Sequence, residues 1–125
     1  MIQIHISHIM SCLFNSLSYF LHDSSYDIRQ KVCDYLEKNG NIVDGMDTKV
    51  ILQMESSNYI DDMRNTSVWG GAIEIQCTCN IYNMRVIVHN HRNRGHKDIE
   101  FLPIHGNYDK TINIWWNGSH YEPIR

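Results

Sequence analysis

A thiol near one end of this chain, and an imidazole with a carboxylate near the other, are the residues whose types suit chemistry. Cys12 stands in Ser11-Cys12-Leu13-Phe14, and His120-Tyr121-Glu122 lies close to the far end of the 125 residues. A cysteine thiolate attacks acyl groups, an imidazole within reach carries the proton, and a carboxylate beside the imidazole fixes its tautomer and stabilises the imidazolium. Brought together, the three would perform acyl transfer through a thioester. Taken singly, each has a plainer role. A cysteine among apolar residues is usually an inert buried side chain, and a histidine near a terminus usually sits on the surface. The chemistry therefore depends on the elements that hold them.

Leu13, Phe14, Leu17, Phe20 and Leu21 recur at helical spacing, which puts Cys12 at or just before a helix N-terminus. The unpaired N–H groups and positive dipole end found there favour a thiolate. Ile2, Ile4 and Ile6 alternate with polar residues and predict a short strand leading into that segment. At the other end, Asn117-Gly118 between the strand-like stretches Thr111–Trp116 and Ser119–Ile124 signals a type I′ hairpin. Residues two apart on a strand share a face, so His120 and Glu122 are expected to point the same way.

Between these ends, Ser24 or Ser25 is the expected N-cap of a helix carrying Ile28, Val32, Tyr35 and Leu36 on one face and stopping at Asn39-Gly40. Val50, Ile51, Met54, Tyr59, Ile60 and Met63 predict two short helices broken near Ser56-Ser57-Asn58. Met84–Val88 and Glu100–Ile104 read as strands, with Pro103 and Pro123 at edge or terminal positions. Helices in the first half and strands in the second give an α+β class, with the helices packed on a small, mostly antiparallel sheet. The length suits a single domain over residues 1–125, burying roughly two thirds of its unfolded surface.

A net charge of −3 lacks the basic footprint of a nucleic-acid binder. No basic leader precedes an apolar run, and no apolar run is long enough to span a bilayer, so no membrane role is expected. Cys12, Cys33, Cys77 and Cys79 do not have the spacing of a secreted disulfide scaffold, and reduced thiols in a cytoplasmic setting are expected. Cys77 and Cys79 with His89, His91 and His96 are the raw material of a zinc site, but none of the usual ligand spacings is present and no metal is expected. Arg92, Arg94 and Lys97 make the same stretch locally basic, as suits a solvated loop or one that meets an acidic partner.

Three blocks stand in the order found in ovarian-tumour (OTU) cysteine proteases: Ser11-Cys12-Leu13-Phe14-Asn15-Ser16-Leu17-Ser18, then Trp69-Gly70-Gly71 followed by Glu74-Ile75, then His120-Tyr121-Glu122-Pro123-Ile124. The chain resembles a minimal member of that family. The resemblance implies a papain-related fold with a helix over residues 72–80. It implies Cys12 as nucleophile, His120 as general base, and Glu122 where the family often places an aspartate or asparagine. Backbone N–H groups of Met10, Ser11 and Cys12 would form the oxyanion hole, and Trp69, Trp115 and Trp116 are candidates to line the substrate channel. The implied activity is hydrolysis at the C-terminus of ubiquitin, polyubiquitin or a ubiquitin-like modifier, by a monomer that needs no cofactor. Where the family commonly reads Asp-Gly-Asn-Cys or Asp-Gly-Ser-Cys, this chain has Ile9-Met10-Ser11-Cys12. That departure would favour the alternative, a catalytically weak OTU-like module that binds ubiquitin without cleaving it. The compact form also resembles the versions carried by large DNA viruses, which would act in the host cell cytoplasm.

Overall fold

The computed structural model describes residues 11–90 and 97–125. The predicted strand over residues 2–6, and Met10, His91, Arg92, Arg94 and His96, lie outside the described residues.

Helix α1 (Cys12–Phe20) forms where the apolar spacing predicts it and buries Leu13, Phe14 and Leu17 completely or nearly so. Helix α2 (Ser25–Glu37) starts at Ser24, whose Oγ accepts the Asp27 N–H at 3.1 Å. Such a cap satisfies one of the four orphan donors of a helix start. The helix stops at Asn39, which takes the left-handed conformation with φ 61°. Gly40 is required for a different reason, since a Cβ there would lie 2.6 Å from the Tyr35 ring. Helices α3 (Thr48–Glu55) and α4 (Tyr59–Met63) are broken at Ser56, whose extended backbone ends α3 and whose Oγ accepts the Asn58 N–H.

Helix α5 (Ala72–Tyr82) buries Glu74, Ile75, Cys77, Thr78 and Cys79. Those positions cover most of its circumference. A helix enclosed in this way has no single apolar stripe, which is why its residue pattern carries no clear period.

The sheet contains β1 (Met84–Asn90), β2 (Ile99–Phe101), β3 (Lys110–Trp116) and β4 (Tyr121–Pro123), in the order β2-β1-β3-β4. Its two outer pairings are antiparallel, β1 with β2 and β3 with β4. The central pairing, Met84↔Lys110 through Asn90↔Trp116, is parallel, so the sheet is mixed. This follows from chain order: β2 folds back on one side of β1, and the chain returns past the start of β1 to enter β3 on its other side. The segment after Phe101 leaves the ladder because Leu102 and Pro103 lead into a turn closed by Gly106 N–H to Pro103 O at 2.9 Å. Val86, Val88, Ile112 and Ile114 are buried on the face that meets the helices. Helix α1 packs against β3 and β4, α2 against α5, and α5 against β1. Helix α1 and strand β4 are thereby neighbours.

Candidate active site

Cys12 is the first residue of α1, and Ser11 is its N-cap. The Ser11 carbonyl accepts the Asn15 N–H at 2.8 Å, closing the first helical turn beside the thiol. The Ser11 side chain does not cap the helix. Its Oγ donates to the Thr66 carbonyl at 3.3 Å and accepts from Arg29 Nη2 at 3.5 Å. Arg29 is 1% exposed, lies with its guanidinium 4.4 Å from the Phe14 ring centroid, and donates to the Met63 carbonyl at 2.9 Å. A buried arginine beneath the nucleophile segment is a feature that residue spacing alone conceals: it sits on the core face of α2 beside Ile28 and Cys33, where an apolar residue is the default.

His120 and Glu122 come from the turn and strand that follow β3. The expected hairpin forms, but not as a type I′ turn. Asn117 does not adopt positive φ, whereas Gly118 does at 104°, and the connection from Trp116 to Tyr121 takes four residues. Asn117 Oδ1 accepts from the Ser119 N–H at 3.0 Å and the His120 N–H at 2.9 Å, building the loop around its own side chain. His120 Nε2 then lies 3.4 Å from Glu122 Oε1, so the predicted common orientation of the pair is present. The contact is an exposed electrostatic one, and a carboxylate on that side favours the tautomer with the proton on Nε2 and the lone pair on Nδ1. Between them in sequence, Tyr121 stacks on Trp116 at a 5.9 Å centroid separation. Burial pushes its phenol up to about 12, so it packs as a neutral ring.

Cys12 is 7% exposed and faces two clefts. One, of about 280 Å³, brings it together with Asn15, Tyr19, His120 and Glu122 between α1 and β4. The other, of about 340 Å³, is lined by Trp69, Gly70 and Gly71 together with Trp116, Gly118 and Ser119. Gly70 is pressed so close to α1 that a Cβ would meet Leu13 Cδ2 and Phe14 Cε2 at 2.9 Å each. Trp115 is not part of either cleft. Strand alternation turns it away from the face on which Trp116 and its partner Tyr121 line the larger cleft, and it does not line the smaller one. It is therefore set aside as a channel residue.

Glu74 stands behind the diglycine wall. It is 1% exposed, and its two carboxylate oxygens accept the Gly71 N–H at 2.7 Å and the Tyr59 hydroxyl at 2.6 Å. Its place three residues after the N-cap Gly71 is the capping-box position, a signal available from sequence. Cys77 and Cys79 are fully buried in α5, and burial raises both thiols, that of Cys79 to about 12. His89 lies on the sheet, its Nδ1 3.0 Å from Asp98 and its Nε2 2.8 Å from Asn113 Oδ1. The described members of the cysteine–histidine set thus have separate surroundings.

The sequence model of the family described as OTU-like cysteine protease matches residues 11–121, most of the chain, with Glu122 one residue beyond. The chain is 29% identical over 128 residues to the ubiquitin thioesterase otu2 of Schizosaccharomyces pombe, covering 91% of this chain and 42% of that protein. It therefore spans less than half the length of that relative. Among solved structures it is similar to an ovarian tumor (OTU) domain in complex with ubiquitin, with a TM-score of 0.71 and 27% identity over 90% of this chain and 62% of that one. The viral OTU domain protease from Dera Ghazi Khan virus shares the fold at a TM-score of 0.66 and 21% identity, covering 90% and 72% of the two chains. An OTU deubiquitinase from Wolbachia pipientis bound to ubiquitin does so at 0.63 and 18%, covering 93% and 90%.

Proposed function

Because the chain belongs to the OTU-like cysteine protease family, we propose that it hydrolyses isopeptide or peptide bonds at the C-terminus of ubiquitin or a ubiquitin-like protein, with Cys12, His120 and Glu122 as its catalytic groups. The observation that carries the proposal is the shared cleft: Cys12, at a helix N-terminus, lines it together with His120, whose Nε2 lies 3.4 Å from the Glu122 carboxylate.

In the reaction, His120 Nδ1 takes the Cys12 proton, and the thiolate attacks the carbonyl carbon of the terminal glycine. The tetrahedral oxyanion is met by main-chain N–H groups of Ser11 and Cys12, which have no intrahelical partner at the α1 start, with Met10, outside the described residues, as the further donor that the family resemblance implies. His120 then gives its proton to the departing lysine amine as the C–N bond breaks. Water, deprotonated by His120, attacks the thioester, and the C–S bond breaks to return the thiolate. The cleft lined by Trp69, Gly70, Gly71 and Trp116 suits an extended tail that ends in glycines, since flat rings and bare backbone leave room for a chain without side chains. Free thiols at all four cysteines accord with a reducing cytoplasm, that of the host where the source is a virus.

The test is turnover of ubiquitin carrying a fluorogenic amide at its C-terminus. The native chain is expected to release the fluorophore, and Cys12→Ala to lower the rate by at least about a thousandfold. Ubiquitin binding without turnover in the native chain would instead support the non-cleaving module, and turnover retained by Cys12→Ala would remove the nucleophile from the scheme.

A further inference from the structure

We infer that Glu74 is a positioning residue for the substrate cleft: by bonding Gly71 and Tyr59 at once, its carboxylate clamps the Trp69–Gly70–Gly71 wall in place beside Cys12. The inference rests on assigning that cleft to the substrate tail. Its geometry is specific. Oε1 accepts the Gly71 N–H at 2.7 Å and Oε2 accepts the Tyr59 hydroxyl at 2.6 Å, from a side chain that is 1% exposed. A carboxylate removed from water is penalised unless such bonds replace its hydration. Burial accordingly pushes the Glu74 pKa up, and an apolar side chain would fill the same space without that penalty. What the carboxylate adds is a pair of acceptors aimed at two different segments.

The wall needs such a hold. Gly70 and Gly71 have no side chains with which to anchor themselves, and the backbone freedom of glycine is the largest of any residue. Gly70 lies tight against Leu13 and Phe14, whereas among the described residues Glu74 Oε1, at 4.0 Å, is what a Cβ on Gly71 would meet. Tyr59 ties the clamp to α4, and the chain just after α4 supplies the Thr66 carbonyl that accepts Ser11 Oγ. The 59–66 segment thus braces both the nucleophile's N-cap and the opposite wall. A wall fixed in advance spares the incoming tail the ordering of a loose diglycine, so the clamp acts on substrate binding more than on the chemical step.

The test compares native chain, Glu74→Ala, Glu74→Gln and Tyr59→Phe in three readouts: alkylation of Cys12 by iodoacetamide, labelling by ubiquitin bearing a C-terminal vinyl methyl ester, and amide exchange at Gly71 by NMR. In Glu74→Ala the alkylation rate is expected to stay within about twofold, while the half-saturating ubiquitin concentration rises about tenfold and Gly71 exchanges at least about tenfold faster. Glu74→Gln keeps an acceptor for Gly71 and is expected to restore both. Unchanged Gly71 exchange, unchanged half-saturation, or an alkylation rate that falls in step with ubiquitin labelling would each overturn the clamp. If Glu74→Ala does not fold, Tyr59→Phe decides, with an expected rise in half-saturation of about threefold and no rise overturning it. A native chain that reacts with iodoacetamide but not with the ubiquitin probe counts against the substrate assignment, while Gly71 exchange still decides the clamp.

Discussion

Glu122 stands 3.4 Å from His120 with its side chain 62% exposed, and this limits what it contributes. Solvent-exposed charge pairs are worth about 0.2–1 kcal/mol. At that size the carboxylate trims the population of misdirected imidazole and does not create the base. Glu122→Ala is expected to lower kcat/KM by about fivefold or less, whereas His120→Ala is expected to lower it by at least about a thousandfold. Steady-state kinetics on the two variants checks this, and equal losses would contradict it. The nucleophile is distinguished by exposure in the same way. Burial pushes the Cys33 thiol up to about 11 and the Cys79 thiol up to about 12, and raises Cys77 as well, while among the described cysteines Cys12 alone faces a cleft. Cys12, His120 and Glu122 could be named as candidates because their neighbours form short, ordered blocks, and the fold places all three along one cleft. Arg29 was not singled out, because a charged residue at a core-facing helical position carries no local mark of its buried partners, and Glu74 stood in the Trp69-Gly70-Gly71 block without its capping-box role being drawn from it.

At the scale of elements, the approach of the 69–71 loop to α1 fixes the width of the cleft. Gly70→Ala would drive a Cβ to 2.9 Å from both Leu13 and Phe14. Overpacking of this kind costs about 1–3 kcal/mol, and a denaturant midpoint lowered correspondingly, with unchanged slope, is the expected result. An unchanged midpoint would mean that the loop stands off from the helix. Helix α2 was readable in full from Ser24 to Asn39, since its cap, stripe and stop agree. Helix α5 was not, because burial of Glu74, Cys77 and Thr78 as well as Ile75 erases the period. The hairpin before His120 was found through Asn117-Gly118, but its turn type was not. Asn117 uses its side chain to bond the backbone of Ser119 and His120 and so takes a four-residue loop.

Across the whole molecule, the sheet order β2-β1-β3-β4 leaves β4 against α1, and so brings the Cys12 and His120 segments to one place. The parallel match of β1 with β3 could not be read locally, since strand alternation is the same for either direction and only the long return of the chain decides it. That juxtaposition is the physical basis for treating Cys12 and His120 as one site. It is tested most directly by reacting the protein with ubiquitin whose C-terminus carries an electrophile and locating the adduct by peptide mass mapping. A single ubiquitin bound through Cys12, absent in Cys12→Ala and strongly slowed in His120→Ala, is the expected result. No adduct on the native protein, or an adduct that persists in Cys12→Ala through another cysteine, would contradict it.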